Sequence, residues 1–332
     1  FRRSVSRPKS NFRCKKLNSR LRQCAPSPMA NNCIKGIKNL PTEQLTHELI
    51  DQGILKAPAE WTELAGGRSN RVWHLKINNA LDLCVKLYPK HPWQNPLFPN
   101  DPLGEHICLK ALAPHGLSPK PVAFIKTPVG PCLIYEHIAG TLLEDQVILM
   151  AQCLAQLHQL PPLKGLRNAS VGSSQMRADG MNILGMCNTP EKDVVHSLMP
   201  DTHVAPVAKR WMIHADPVPA NVIINQGRAK LIDWQCPALG DPAEDLCHFL
   251  SPAMQWLYRQ AILSDIEVSS FIGSYVQYSA VFDKARFLGL RAWYSWRIAA
   301  YCLWQVEHGN SAYKKALEHE ISDLKKAHAK IA

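Results

Sequence analysis

The 332-residue chain is 46% hydrophobic and 20% charged, a globular profile, and no apolar stretch approaches the roughly 18 residues of a membrane span. Its net charge of +11 is uneven: residues 1–28 hold nine basic groups (Arg2, Arg3, Arg7, Lys9, Arg13, Lys15, Lys16, Arg20, Arg22) and no acid, which leaves +2 on the rest. A near-neutral body gives no electrostatic case for a nucleic-acid partner, and eleven scattered cysteines without a C-x-x-C pair argue against both a disulfide framework and a zinc site. These properties predict a soluble protein of a reducing, cytoplasmic compartment.

In chain order, the basic leader 1–28 has no apolar periodicity. It reads as disordered and dispensable, with Met29 opening the ordinary sequence; a transit peptide or a polyanion-binding arm is the alternative. A helix is predicted from Thr42 to a stop at Gly53. Alternation of Trp73, Leu75 and Ile77, a turn at Asn78-Asn79, and alternation of Leu81, Leu83, Val85 and Leu87 predict a β-hairpin, with Lys86 on the face opposite the apolar set. A Pro-rich loop leads to a helix over 104–113, and strands over 121–126 and 131–137 follow. From Leu142 the spacing of Val147, Met150, Leu154 and Leu157 is helical. Residues 161–200, rich in Pro, Gly, Asn and Ser, predict a long irregular connection, and 255–332 return to helix. Strands first and helices after predict an α+β protein of two lobes.

The most informative stretch reads His214-x-Asp216-x-x-x-x-Asn221, an apolar run, a turn at Gln226-Gly227, a second apolar run, then Asp233-Trp234. Phosphoryl transfer asks a protein for an acceptor of the hydroxyl proton and for metal ligands that bridge phosphates, and magnesium takes one or two carboxylate or amide oxygens beside phosphates and water. Asp216, Asn221 and Asp233 supply those groups.

The stretch resembles the catalytic loop of the aminoglycoside phosphotransferase and choline kinase-like family, as does the continuation Gly240-Asp241-Pro242-Ala243-Glu244-Asp245-Leu246. The resemblance implies a bilobal, protein-kinase-like fold, with a small β-rich N-lobe over 29–138 that binds nucleotide and a helical C-lobe over 139–332 that carries the catalytic loop and substrate site. It implies Asp216 as catalytic base, Asn221 and Asp233 as magnesium ligands, and ATP as phosphoryl donor. Ala215 and Ala220 stand where the family often has Gly, and Pro217 and Pro219 stiffen the loop; neither change removes a catalytic group. Upstream, Gly66, Gly67, Ser69 and Asn70 match a phosphate-covering turn, Lys86 the phosphate-binding lysine and Glu105 its partner. Leu133 to Gly140, with Glu136 and Ile138, resembles the strand that receives the adenine edge.

Other residues read as supports. His214 is expected to hold the loop, Asp241 and Asp245 to fix backbone and cap a helix, and Trp293, Trp296 and Trp304 to pack in the core, with a cage for a cationic amine as the alternative. A protein kinase is disfavoured, since no A-P-E follows Asp233. The sequence therefore predicts a kinase acting on a small hydroxyl compound (an amino alcohol such as choline, thiamine, or an amino sugar), with neither nucleic acid nor membrane as partner. An ATP-binding pseudokinase regulator is the alternative. Residues 261–332 hold seven acids against nine bases, no surplus that would favour a polycation.

Overall fold

The computed structural model describes residues 40–64, 69–77, 81–91 and 94–329. The expectations for the leader 1–28, for Gly66 and Gly67, and for the turn at Asn78-Asn79 fall outside these residues.

The chain begins with α1 (Leu40–Asp51), followed by β1 (Glu60–Glu63), β2 (Arg71–Ile77), β3 (Leu81–Leu87), α2 (Pro102–Leu112), β4 (Pro121–Thr127) and β5 (Gly130–Glu136). The strands form one antiparallel sheet in the order β1-β2-β3-β5-β4. Period-two alternation gives the sheet two faces of different character. Trp73, Leu75, Leu83, Val85, Leu87, Cys132 and Ile134 bury one face against Leu45, Leu49 and Leu55 of α1 and the segment after it. Gly53 ends that region in the left-handed conformation, φ 70°, which only glycine adopts freely. The other face carries Lys86, and its neighbours Tyr88 and Leu133 join the large core of the helical half.

That half runs through β6 (Thr141–Leu142), α3 (Val147–Leu157), β7 (Arg167–Asn168), α4 (Ser173–Gly185), α5 (Glu191–Ser197) and β8 (Trp211–Ile213). It continues with the hairpin β9 (Val222–Asn225) and β10 (Arg228–Leu231), then β11 (Ala238–Gly240), α6 (Pro242–Leu250), α7 (Pro252–Arg259), α8 (Asp265–Tyr278), α9 (Lys284–Glu307) and α10 (Tyr313–Ala329). The β9–β10 turn at Gln226-Gly227 has positive φ at both residues, 49° and 72°, as a tight hairpin requires. Two three-stranded sheets, β10-β9-β6 and β7-β11-β8, hold the segments on either side of the Asp216 loop.

Residues 161–200 are not the irregular connection that their composition predicts, because they contain β7, α4 and α5. The α4 sequence is largely polar and has only Met176, Ile183 and Leu184 as buried apolar side chains, so its periodicity is faint. It is helical because α9 packs along it: a Cβ at Gly180 would stand 2.2 Å from the Trp296 ring, a close approach open only to glycine. Among the described residues no helix is long and apolar enough to cross a membrane.

Candidate active site

The site lies where β3 and α2 of the sheet-rich half face the loops after β8 and β10. Lys86 of β3 and Glu105 of α2 are each about 1% exposed, and Lys86 Nζ lies 2.6 Å from Glu105 Oε2. The same ammonium contacts Asp233 Oδ1 at 2.5 Å, which ties the sheet to the loop after β10. Tyr88 donates its hydroxyl to Glu105 Oε2 at 2.6 Å. Burial by itself would lower the Lys86 pKa; Asp233 and Glu105 outweigh it and hold the ammonium above its usual range. Glu105 is aimed by the start of α2, where Asp101 accepts the Gly104 N–H at 2.9 Å as N-cap and Pro102 occupies the first turn.

The loop after β8 is held by its backbone. Asp245 of α6, fully buried, accepts the His214 N–H at 2.9 Å on one oxygen and the Ala215 N–H at 2.8 Å on the other. His158 of α3 contacts the first of these oxygens at 3.0 Å and meets Tyr275 Oη at 2.7 Å through its other nitrogen. Ala215 sits at φ 65°, glycine territory, so the departure from Gly at this position carries a backbone cost of about 1–2 kcal/mol that the bond to Asp245 opposes. Burial lowers the His214 pKa and keeps its ring neutral. A neutral ring can donate from Nε2 to the Ile232 carbonyl at 3.0 Å and accept the Asp216 N–H on Nδ1 at 3.3 Å, which matches both contacts. His214 therefore supports the loop, as expected.

Asp216, Asn221 and Asp233 come together through one continuous set of bonds. Asn221 Nδ2 donates to the Asp216 carbonyl at 2.9 Å, with Asp216 Oδ2 3.4 Å away, and the Asn221 carbonyl accepts the Ile232 N–H at 2.9 Å. Asp233 follows at φ 58°, a left-handed residue that turns its carboxylate toward Lys86. With its NH2 group used inside the loop, Asn221 has its amide oxygen left to offer, and Asp233 has its second carboxylate oxygen. That donor set suits a hard divalent cation.

The other predicted residues are placed less centrally. Ser69 is exposed; Asn70 is buried, but its amide is taken up by Gln235 Oε1 at 2.9 Å and by Asn100. Glu136 is exposed and pairs with Lys120 at 2.9 Å, and Ile138 is half-buried just past β5. Among the described residues, neither contacts Lys86 or Asp233.

Two residues of the site escaped the sequence reading. His248 Nε2 lies 3.1 Å from Asp216 Oδ1, with the Phe98 ring edge-on to it at 5.3 Å. The signal was its position three residues after Asp245 on the same helix, hence on the same face. Gln235 bonds Asn70 by its side chain and accepts the Asp101 N–H on its carbonyl at 2.7 Å, joining the loop after β10 to the start of α2. Nothing in its sequence neighbourhood marks that role.

Residues 60–290 match the model of the phosphotransferase enzyme family that includes the aminoglycoside phosphotransferases. The chain belongs to this family. The phosphotransferase also shares its fold with solved structures at low identity. A choline/ethanolamine kinase family protein from Mesorhizobium loti aligns at 17% identity and TM-score 0.59, over 86% of this chain and 94% of that one. The choline kinase LicA from Streptococcus pneumoniae aligns at 19% and 0.57, over 83% and 99%. The macrolide 2'-phosphotransferase MphH from Brachybacterium faecium aligns at 15% and 0.55, over 84% and 97%. No curated protein sequence matches the chain. The α+β, two-lobed architecture predicted from the order of strands and helices, and the kinase-like fold implied by the resemblance, are the ones observed.

Proposed function

We propose that the phosphotransferase moves the γ-phosphoryl group of ATP, as its magnesium complex, onto a hydroxyl of a small metabolite. The nucleotide is held by residues 29–138, and the acceptor by residues 139–332. The observation that carries the reading is the meeting of Lys86, Glu105 and Asp233 beside the Asp216–Asn221 loop, since phosphoryl transfer needs a fixed cation, metal-ligating oxygens and a proton acceptor around one triphosphate. Lys86 takes the phosphate oxygens, with Glu105 keeping its ammonium charged and aimed. The main chain of Glu136 and Ile138 receives the adenine edge, and the turn containing Gly66, Gly67, Ser69 and Asn70 covers the phosphates. Asn221 and Asp233 would hold magnesium, which would supply positive charge against the phosphate oxygens. As the acceptor oxygen bonds to phosphorus and the bond to the ADP oxygen breaks, Asp216 takes the hydroxyl proton. His248 fixes Asp216 Oδ1, which leaves Oδ2, 3.4 Å from Asn221 Nδ2, to take the acceptor proton.

Behind His248, aromatic rings pack on one another. Phe98 is edge-on to both His248 and Tyr301, and Asn95 donates to the Tyr301 hydroxyl at 2.9 Å. A tryptophan cage for a quaternary amine is not supported. Trp293 and Trp296 are buried, at 4% and 0% exposure, and give their indole N–H groups to the Thr202 and Val195 carbonyls. Choline and ethanolamine, named for some of the structural neighbours, therefore rank no higher here than thiamine, amino sugars or macrolides. The test is mass-spectrometric detection of phosphorylated product when the protein, ATP and magnesium meet a panel spanning those compounds. One acceptor whose phosphorylation is lost in Asp216→Asn supports the reading. Tight Mg·ATP binding with no transfer to any compound would replace it with a regulatory, catalytically silent role.

A further inference from the structure

On the same sheet, beyond Lys86, three residues with metal-binding side chains converge that the phosphotransfer reading does not use. His74 on β2, Asp82 on β3 and His137 just after β5 come from three neighbouring strands. The alternation that turns Lys86 away from α1 turns His74 and Asp82 the same way. Their ligand atoms all lie within 4.8 Å of one another. His74 Nε2 is in direct contact with Asp82 Oδ1, and His137 Nδ1 lies 3.2 Å from the same oxygen. The two imidazoles stand 4.2 Å apart with planes 30° from parallel, so both rings present a nitrogen to one carboxylate. His137 Nδ1 is buried and has no hydrogen bond of acceptable geometry, although it sits beside that oxygen. A buried ring nitrogen without a partner costs stability unless something else occupies it. The backbone holds the group in register, because the His137 N–H donates to the Asp82 carbonyl at 3.0 Å.

We infer that His74, Asp82 and His137 form a binding site for a divalent transition metal of the zinc class, at one end of the central strands beside the segment that follows β5. Zinc bonds to imidazole nitrogen and carboxylate oxygen are about 2.0–2.2 Å, so neighbouring ligand atoms of a tetrahedron lie roughly 3.3 Å apart. The observed separations need only small side-chain adjustments to meet that value. Two nitrogens and one oxygen select zinc-like ions over magnesium, which prefers oxygen alone. The partly exposed rings leave the fourth position to water or to an incoming ligand. This site uses no cysteine, which is why cysteine spacing gave no sign of it. It does not depend on the proposed phosphotransfer activity.

The experiment is calorimetric titration of the full chain with zinc chloride, magnesium in large excess, beside Asp233→Ala, His74→Gln, His137→Gln and Asp82→Asn. The wild type and Asp233→Ala should each take up zinc at this site with equal affinity. Loss of either imidazole should weaken it by at least the roughly 10–100-fold that removal of a ligand's outer partner costs. Cobalt(II) bound in place of zinc should give a visible ligand-field spectrum without thiolate charge transfer. The three substituted side chains are partly exposed, so melting temperatures near wild type are expected and keep the comparison valid. A wild type that binds no zinc, histidine variants that bind it unchanged, or loss of binding in Asp233→Ala would each overturn the inference.

Discussion

The two halves of the active site are held in different ways. Downstream, the two carboxylates that face the cleft are not the groups that hold the loop from behind. Asp245 holds the His214 and Ala215 N–H groups from behind and is itself bonded to His158, while Asp216 and Asp233 stay partly exposed. Upstream, function and support fall on the same pair: Lys86 and Glu105 are both buried and ion-paired, with Asp233 as the second partner of Lys86. Substitutions downstream should therefore separate chemistry from stability, and substitutions upstream should confound them.

The largest expected effect is on turnover. Asp216→Asn should lower phosphoryl transfer by on the order of 10²–10⁴-fold, the range of a general base, while Mg·ATP affinity and melting temperature stay near wild type. Asp233→Ala should instead abolish tight Mg·ATP binding in calorimetry, since Asp233 supplies the carboxylate for the metal. Full activity in both variants would mean that the site has been placed wrongly.

Lys86→Ala tests the upstream half. From the sequence alone it should weaken ATP-dependent turnover strongly and leave the fold intact. The structure changes the second part, because the variant leaves Glu105 buried without its cation, a loss of about 3–5 kcal/mol. Denaturant unfolding should show that loss, and Lys86→Met combined with Glu105→Gln should recover most of the stability without recovering turnover. Wild-type stability in the single variant would erase the contrast between the halves.

The smallest effect sharpens the contrast with a second buried glutamate that has no cation beside it. Glu320 of α10 accepts the Ser251 hydroxyl at 2.6 Å and the Ala253 N–H at 3.0 Å, while its other oxygen has no partner. Burial pushes its pKa up to about 7. Between the ordinary glutamate range and that value, the folded protein keeps a proton that the unfolded chain has released. Stability therefore falls as pH rises through this window and levels off above it, by roughly 3 kcal/mol in all. Glu320→Gln should raise the melting temperature at pH 8, change it little at pH 5, and flatten the profile between them. An unchanged profile would show that Glu320 does not titrate there.

The roles that were easiest to read came from short-range pattern. Period-two alternation put Lys86 opposite the apolar face, and the spacing of Asp216, Asn221 and Asp233 matched three groups that one loop and one hairpin can bring together. Asp241 was read as a cap and is one, accepting the Ala243 N–H at 2.9 Å at the start of α6. Faint or long-range signals were missed. The α4 helix escaped because few of its residues are apolar, and Gln235 because its two partners lie far upstream in the chain.

By itself the sequence determined that a strand-rich half precedes a helical one, the face on which Lys86 stands and the chemical character of the catalytic loop. Each of these depends on residues within a few positions of one another, where backbone geometry leaves little choice. Tertiary structure alone decided that Asp233 joins the Lys86–Glu105 pair, that His248 holds Asp216, and that His74, Asp82 and His137 meet at one end of the central strands. Those contacts join residues many positions apart. They form because packing the sheet against the helices brings their elements to the same place, and no local pattern records which distant segments will meet.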